Sequence, residues 1–95
     1  MESISLISRD NKELLVYEND SVELGFIEVH VGDKYLKALH TEVKPEASGK
    51  GVGKKLFTGF IDYARKNNLK VESLCPFISA QLARHADEVK DLIRN

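Results

Sequence analysis

The sequence predicts one mixed α/β domain of the α+β kind: an antiparallel meander, then a strand–helix–strand crossover, then C-terminal helices. Three observations predict it. In the first half, short runs alternate apolar and polar residues, the period-two signature of half-buried strands. After Gly53 the apolar spacing changes to three and four residues, which is one face of a helix. A further short apolar run follows that helix, and a strand–helix–strand unit makes its two strands parallel with a right-handed crossover. The 95 residues, 1–95, make a single domain with no room for a second core.

In order, Ile4 and Leu6 among serines suggest a short first strand or its lead-in, closed by the polar break Arg9-Asp10-Asn11. Leu14 to Tyr17 is an apolar run of strand length, and Glu18-Asn19-Asp20-Ser21 is a turn cluster whose side chains bond back to their own backbone. From Leu24 to Val31, the residues Ile27, Val29 and Val31 share one face while Glu28 and His30 share the other. Gly32-Asp33 suits a tight hairpin turn. Tyr35 to Val43 alternates again, with Tyr35, Leu39, Thr41 and Val43 assigned to one side. Val52, Leu56, Phe57, Phe60, Ile61 and Ala64 form the helical face. Arg65 and Lys66 suit the negative end of that helix's dipole, and Asn67-Asn68 is a stop because Asn tolerates the left-handed conformation. Leu69 to Leu74 reads as the strand after the crossover. Pro76 can open the next helix, where its missing N–H costs nothing. The tail after Pro76 reads as helical, with Phe77, Ile78 and Leu82, then Val89, Leu92 and Ile93, as its apolar positions and Asp87 as the cap of a second short helix.

Composition narrows the function. The charged residues, 31% of the chain, nearly cancel to a net charge of -1. That balance argues against general nucleic-acid binding, which needs surplus Lys and Arg against phosphates. The single cysteine, Cys75, cannot form an internal disulfide and by itself builds no zinc site, so no metal is expected. No apolar run approaches the roughly 20 residues that span a bilayer, and Met1 to Arg9 does not read as a signal peptide. The expectation is a cytoplasmic monomer with no membrane partner.

The segment that carries chemistry runs from Val43 to Leu56, between a strand and an amphipathic helix. Gly49, Gly51 and Gly53 place three glycines in five residues, which costs backbone entropy unless something compensates. A helix N-terminus presents unpaired N–H groups and a positive dipole end, and anions bind there. Lys50, Lys54 and Lys55 add positive charge around the same turn. A pyrophosphate or other phosphorylated group therefore fits best. A Walker loop does not, because Ser48 occupies the place of its first glycine and Lys55 that of its hydroxyl residue. A dinucleotide-binding fingerprint does not either, since the spacing is Gly-x-Gly-x-Gly and the chain is too short for a doubly wound sheet. The plain alternative is a glycine-rich turn with surface lysines.

The arrangement Val43-x-Pro45-Glu46-x-x-Gly49-Lys50-Gly51-Val52-Gly53 resembles the cofactor-binding motif of GCN5-related N-acetyltransferases, whose core is Gln/Arg-x-x-Gly-x-Gly/Ala. Chain length, His40-Thr41-Glu42-Val43, the Leu74-Cys75-Pro76-Phe77 corner and Arg84-His85 resemble a small single-domain branch of that superfamily. Two positions depart from it. Ser48 stands where the motif has Gln or Arg, and Ala86 follows His85 where the branch usually has Pro.

The resemblance implies acetyl-CoA as cofactor and an unidentified amine as acceptor. It implies a cofactor grip by Ser48, Gly49, Lys50, Gly51, Val52, Gly53, Lys54 and Lys55, with a backbone N–H near Val43 for the oxyanion that develops during transfer. A lysine-like amine is almost wholly protonated at neutral pH, so a base is needed. His40, an imidazole on the strand leading into the loop, is the candidate base, with a surface histidine as the alternative. Cys75 follows the strand after the helix, where ligands of open sheets gather and where a helix N-terminus favours a thiolate. It is a candidate acyl acceptor, a proton donor to departing thiolate, or a small buried apolar group. His85 is expected to pack near the pocket at a helix end. The functional expectation is an acetyl-CoA-dependent N-acetyltransferase. Its alternatives are a non-catalytic acyl-CoA-binding or sensing module and a partner-binding domain with no nucleotide ligand.

Overall fold

The computed structural model describes residues 1–93. Five strands, β1 (Glu2–Arg9), β2 (Lys12–Asn19), β3 (Val22–Val31), β4 (Tyr35–Val43) and β5 (Lys70–Ser73), form one sheet in sequential order. The first four pair antiparallel, and β5 pairs parallel to β4 after α1 (Val52–Lys66). Two short helices, α2 (Pro76–Arg84) and α3 (Ala86–Val89), complete the described residues. The predicted mixed fold is thus the observed one.

Turn chemistry sets the meander. Asp10 and Asn11, then Asp20 and Ser21, take φ between 53° and 68°, so each two-residue connection has both residues left-handed. That is the hairpin turn whose twist matches the flanking strands. The first strand is longer than Ile4 and Leu6 alone suggest, because its serines pair as well as its apolar residues do.

The core lies between the sheet and α1. Leu15, Ile27, Leu36, Leu56, Phe60, Val71 and Ile78 are its largest fully buried side chains. β2 also buries Leu14 and Val16, 4% and 3% exposed, on the opposite face, where the register sets them beside Ile7 and Phe26. Burial on both faces is why Leu14 to Tyr17 reads as an unbroken apolar run.

Two sequence assignments are corrected. The face of β4 given to Tyr35, Leu39, Thr41 and Val43 is not continuous, because Leu36 and Ala38 are the fully buried pair. The register shifts between Glu28 and Val29, so Glu28 opposes His40 and Val29 opposes Ala38. Leu39 is the extra residue of a bulge, which breaks the period of two. In the tail, His85 rather than Asp87 precedes α3, and Asp87 lies inside its first turn. Its carboxylate still favours that positive dipole end.

Candidate functional site

The site begins where the sheet parts. β4 and β5 pair only from Tyr35 with Lys70 to Ala38 with Ser73, and the last bond is Leu74 N–H to the Ala38 carbonyl at 2.8 Å. Beyond it β4 runs on to Val43 while the chain leaves β5 for α2. The N–H of Lys44 donates to the Leu24 carbonyl at 2.9 Å, on the β3 side. Successive strand amides point to opposite edges, so the Val43 N–H points into the gap. It is a preplaced donor of the kind an oxyanion needs.

Val43 leads into the glycine turn through a short 3-10 helix, Pro45–Ala47. Gly49 and Gly51 take φ of 80° and 75°, and a Cβ at either would meet nothing within 4 Å. Backbone conformation, not space, selects glycine there. Gly53 is the reverse case, since a Cβ would stand 2.7 Å from the Phe77 ring of α2. So the three glycines have two local causes, and the turn they make opens α1. Its first helical bond, Lys55 N–H to the Gly51 carbonyl, measures 3.1 Å. The N–H groups of Val52, Gly53 and Lys54 precede that bond and face the N-terminal end.

A cavity of about 490 Å³ lies against this turn. Val43, Ser48, Gly49, Gly51, Val52, Gly53 and Lys54 form one wall, and Phe77, Gln81 and Arg84 of α2 the other. The sequence-predicted residues Lys50 and Lys55 are placed outside it. Lys50 is exposed, and Lys55 is ion-paired with Glu2 of β1. The Tyr17 hydroxyl donates to the same carboxylate at 2.6 Å, and the Lys55 ammonium lies 5.7 Å from the Tyr17 ring centre. Lys55, then Tyr17, hold the Glu2 carboxyl below its ordinary range, while the bond to Glu2 raises both the Lys55 and the Tyr17 values. This cluster borders a separate cavity of about 670 Å³ between β1 and α1, floored by Ile4, Leu15 and Tyr17. From the Ser48–Lys55 segment it takes Gly51, Lys54 and Lys55, and it shares Gly51 and Lys54 with the first cavity.

The structure does not bring His40 and Cys75 together. Cys75 caps the start of α2, 3% exposed, with its Sγ 3.3 Å from Thr41 Oγ1. Neighbouring strand residues project to opposite faces. His40 therefore lies on the other side of β4, exposed, with Nε2 3.5 Å from Glu42 Oε1 and its ring edge-on to Phe26. His85 stacks on Phe57 at 5.6 Å, and its Nδ1 lies 3.3 Å from Glu88 Oε1. Sequence reasoning missed Phe77, Gln81 and Arg84 as cleft residues, and Thr41 as the neighbour of Cys75. For α2 the signal was present: Phe77, Gln81 and Arg84 share one helical face, while Ile78 and Leu82 share another.

An antiparallel meander, a glycine turn into a crossover helix, and a parallel strand that parts from its neighbour over a cleft together define a mixed α/β domain with a cleft at the parted sheet edge. A sequence model of the family described as GCN5-related N-acetyl-transferase matches residues 13–92, well over half of the chain. The chain belongs to that family of acetyltransferases. Its structure is similar to the solution structure of a GCN5-like candidate N-acetyltransferase from Staphylococcus aureus. There the TM-score is 0.64 and the identity 29%, over 100% of this chain and 92% of that one. It also shares its fold with the crystal structure of ribosomal-protein-alanine N-acetyltransferase from Brucella melitensis biovar Abortus 2308. That match has a TM-score of 0.57 and 18% identity over 88% of this chain, and spans 62% of the larger protein. No curated protein matches the chain. Among the described residues no group of three or more His, Cys, Asp or Glu converges as a metal site, and no helix is long and apolar enough to cross a membrane.

Proposed function

We propose that the protein transfers an acetyl group from acetyl-CoA to an amine, with the cofactor held in the cleft between the glycine turn and α2. The observation that carries this reading is the continuity of the cleft. Free helix-start amides and Lys54 stand at one end, and the parted edge of β4 with the Val43 N–H at the other. The donor set fits the cofactor's chemistry: N–H groups for a diphosphate, apolar Val43 and Phe77 for an uncharged arm, and a strand amide for a carbonyl oxygen. When bound, acetyl-CoA supplies an activated thioester.

The chain's own residues do the rest. The Val43 N–H polarises the carbonyl. The part-buried Thr41–Cys75 pair passes a proton to departing thiolate. His40, with Glu42 beside it, takes the proton of the incoming amine from the open face of the sheet. A carbon–nitrogen bond forms, a carbon–sulfur bond breaks, the amine proton leaves on the base, and the thiolate is reprotonated. The amine's identity is left open, and cytoplasmic, monomeric operation is part of the proposal.

A second reading, a non-catalytic acyl-CoA-binding or sensing module, is supported by the two-residue hairpins that join β1 to β2 and β2 to β3. Among the described residues they leave no helix between the early strands to enclose an acceptor. Turnover separates the two. Mixed with acetyl-CoA and a panel of amines, including a polyamine, a lysine peptide and peptides with free N-termini, the enzyme releases thiol only when an acceptor is present. Binding of acetyl-CoA without acceptor-dependent release would assign the module instead.

A further inference from the structure

The cleft wall opposite the glycine turn carries a polar side chain that no described residue pairs with. Gln81 is the one buried polar side chain among the described residues, 9% exposed, and its amide has no hydrogen-bond partner among them. Among the described residues no side-chain nitrogen or oxygen fully sealed from solvent lacks a partner, so the Gln81 amide keeps its polar atoms toward the open cavity that it lines. There they are available to a ligand rather than committed to the protein. One turn further along the same face stands Arg84, a cation with no ion pair among the described residues, whereas Arg9 and Arg65 are each tied to a carboxylate. The chain has 15 Asp and Glu residues, yet none lines this cavity, which instead has Lys54 on one side and Arg84 on the other.

We infer that Gln81 and Arg84 form a second, side-chain grip on the cofactor's phosphates, closing from α2 the contact that the short Ser48 side chain leaves open on the loop. The inference rests on acetyl-CoA occupying the cleft. Loop amides would meet a diphosphate from one side, and Gln81 and Arg84 line the wall across from them. A guanidinium fork meets such oxygens in paired geometry, and an amide N–H₂ donates to a neighbouring one. The position of Arg84 in the last turn of α2 also favours a cation there before any ligand binds.

The test is calorimetric titration of the full chain with acetyl-CoA. Arg84→Ala is expected to weaken binding tenfold or more, and Ser48→Arg in that background to restore it to within threefold, because the charge returns on the opposite wall. Gln81→Leu gives an independent arm. It is expected to weaken acetyl-CoA binding at least threefold in a protein that still folds, because an N–H₂ donor to the phosphates is removed. A change below twofold in Arg84→Ala, failure of the Ser48→Arg rescue, or a change below twofold in a folded Gln81→Leu would overturn the inference while leaving acetyl-CoA binding itself in place. Absence of binding by the unaltered chain would instead remove the cofactor reading and this inference with it.

Discussion

Gly51 holds φ at 75° at the entry to α1, and any other residue there must accept that conformation. Gly51→Ala is expected to cost about 1 kcal/mol by chemical denaturation, from backbone strain alone. Gly51→Glu adds bulk and negative charge beside the loop amides and should abolish acetyl-CoA binding in a protein that still folds. Ser21 is the mirror case. Its φ of 68° is one that serine adopts poorly, and Ser21→Gly should raise stability by roughly 0.5–1 kcal/mol. At Cys75, alanine substitution should leave acetyl-CoA affinity nearly unchanged and slow acetyl transfer at least tenfold. Unchanged transfer would remove the thiol from the chemistry and leave it a small buried group beside Thr41. The glycine turn was legible in the sequence because glycine density marks unusual backbone. What the residues alone could not give was the cause at each position. The reason for Gly53 is a ring contributed from 24 positions downstream.

At the scale of elements, β1 is fastened to the start of α1 by the Glu2–Lys55 pair and the Tyr17 hydroxyl. Glu2 is held below its ordinary value of 4.5, so its contribution is complete above about that pH and is lost as the pH falls through the lower folded value. Lys55 and Tyr17 are raised above 10.5 and 10.0, so theirs is complete below those values and is lost as the pH rises through the higher folded ones. Hydrogen exchange of β1 amides should therefore quicken toward both extremes. In Glu2→Gln both pH responses should flatten, and persistence of the full profile would show that the cluster does not govern β1. Element boundaries were largely legible: period two for the strands, period 3.6 for α1, and Asn68, left-handed at φ 55°, just past its end. The bulge at Leu39 was not. An extra residue changes no local propensity and shows only against the partner strand. The cleft face of α2 had its helical spacing in the sequence, but its role was not legible for a related reason. A polar residue on a helix reads as solvent-facing until the element opposite is known.

At the scale of the whole molecule, a sheet with one long helix on one face makes the core and the cleft share their parts. Phe60 is fully buried beneath the sheet, and Phe60→Ala should lower stability by about 3–5 kcal/mol, a large fraction of what so small a domain possesses. Val52 and Leu56 lie in the same buried cluster and hold the first turn of α1 against β3 at Gly25. Ligand binding at that turn should in return stabilise the whole domain by mass action. The central claim is that the glycine turn and the parted edge of β4 form a single acetyl-CoA cleft. Amide NMR during an acetyl-CoA titration tests it most directly. The account predicts the largest shifts at Gly49, Gly51, Val52, Gly53 and Val43, together with the Gln81 side-chain amide. Resonances that stay in place across those residues under a large excess of acetyl-CoA would contradict it.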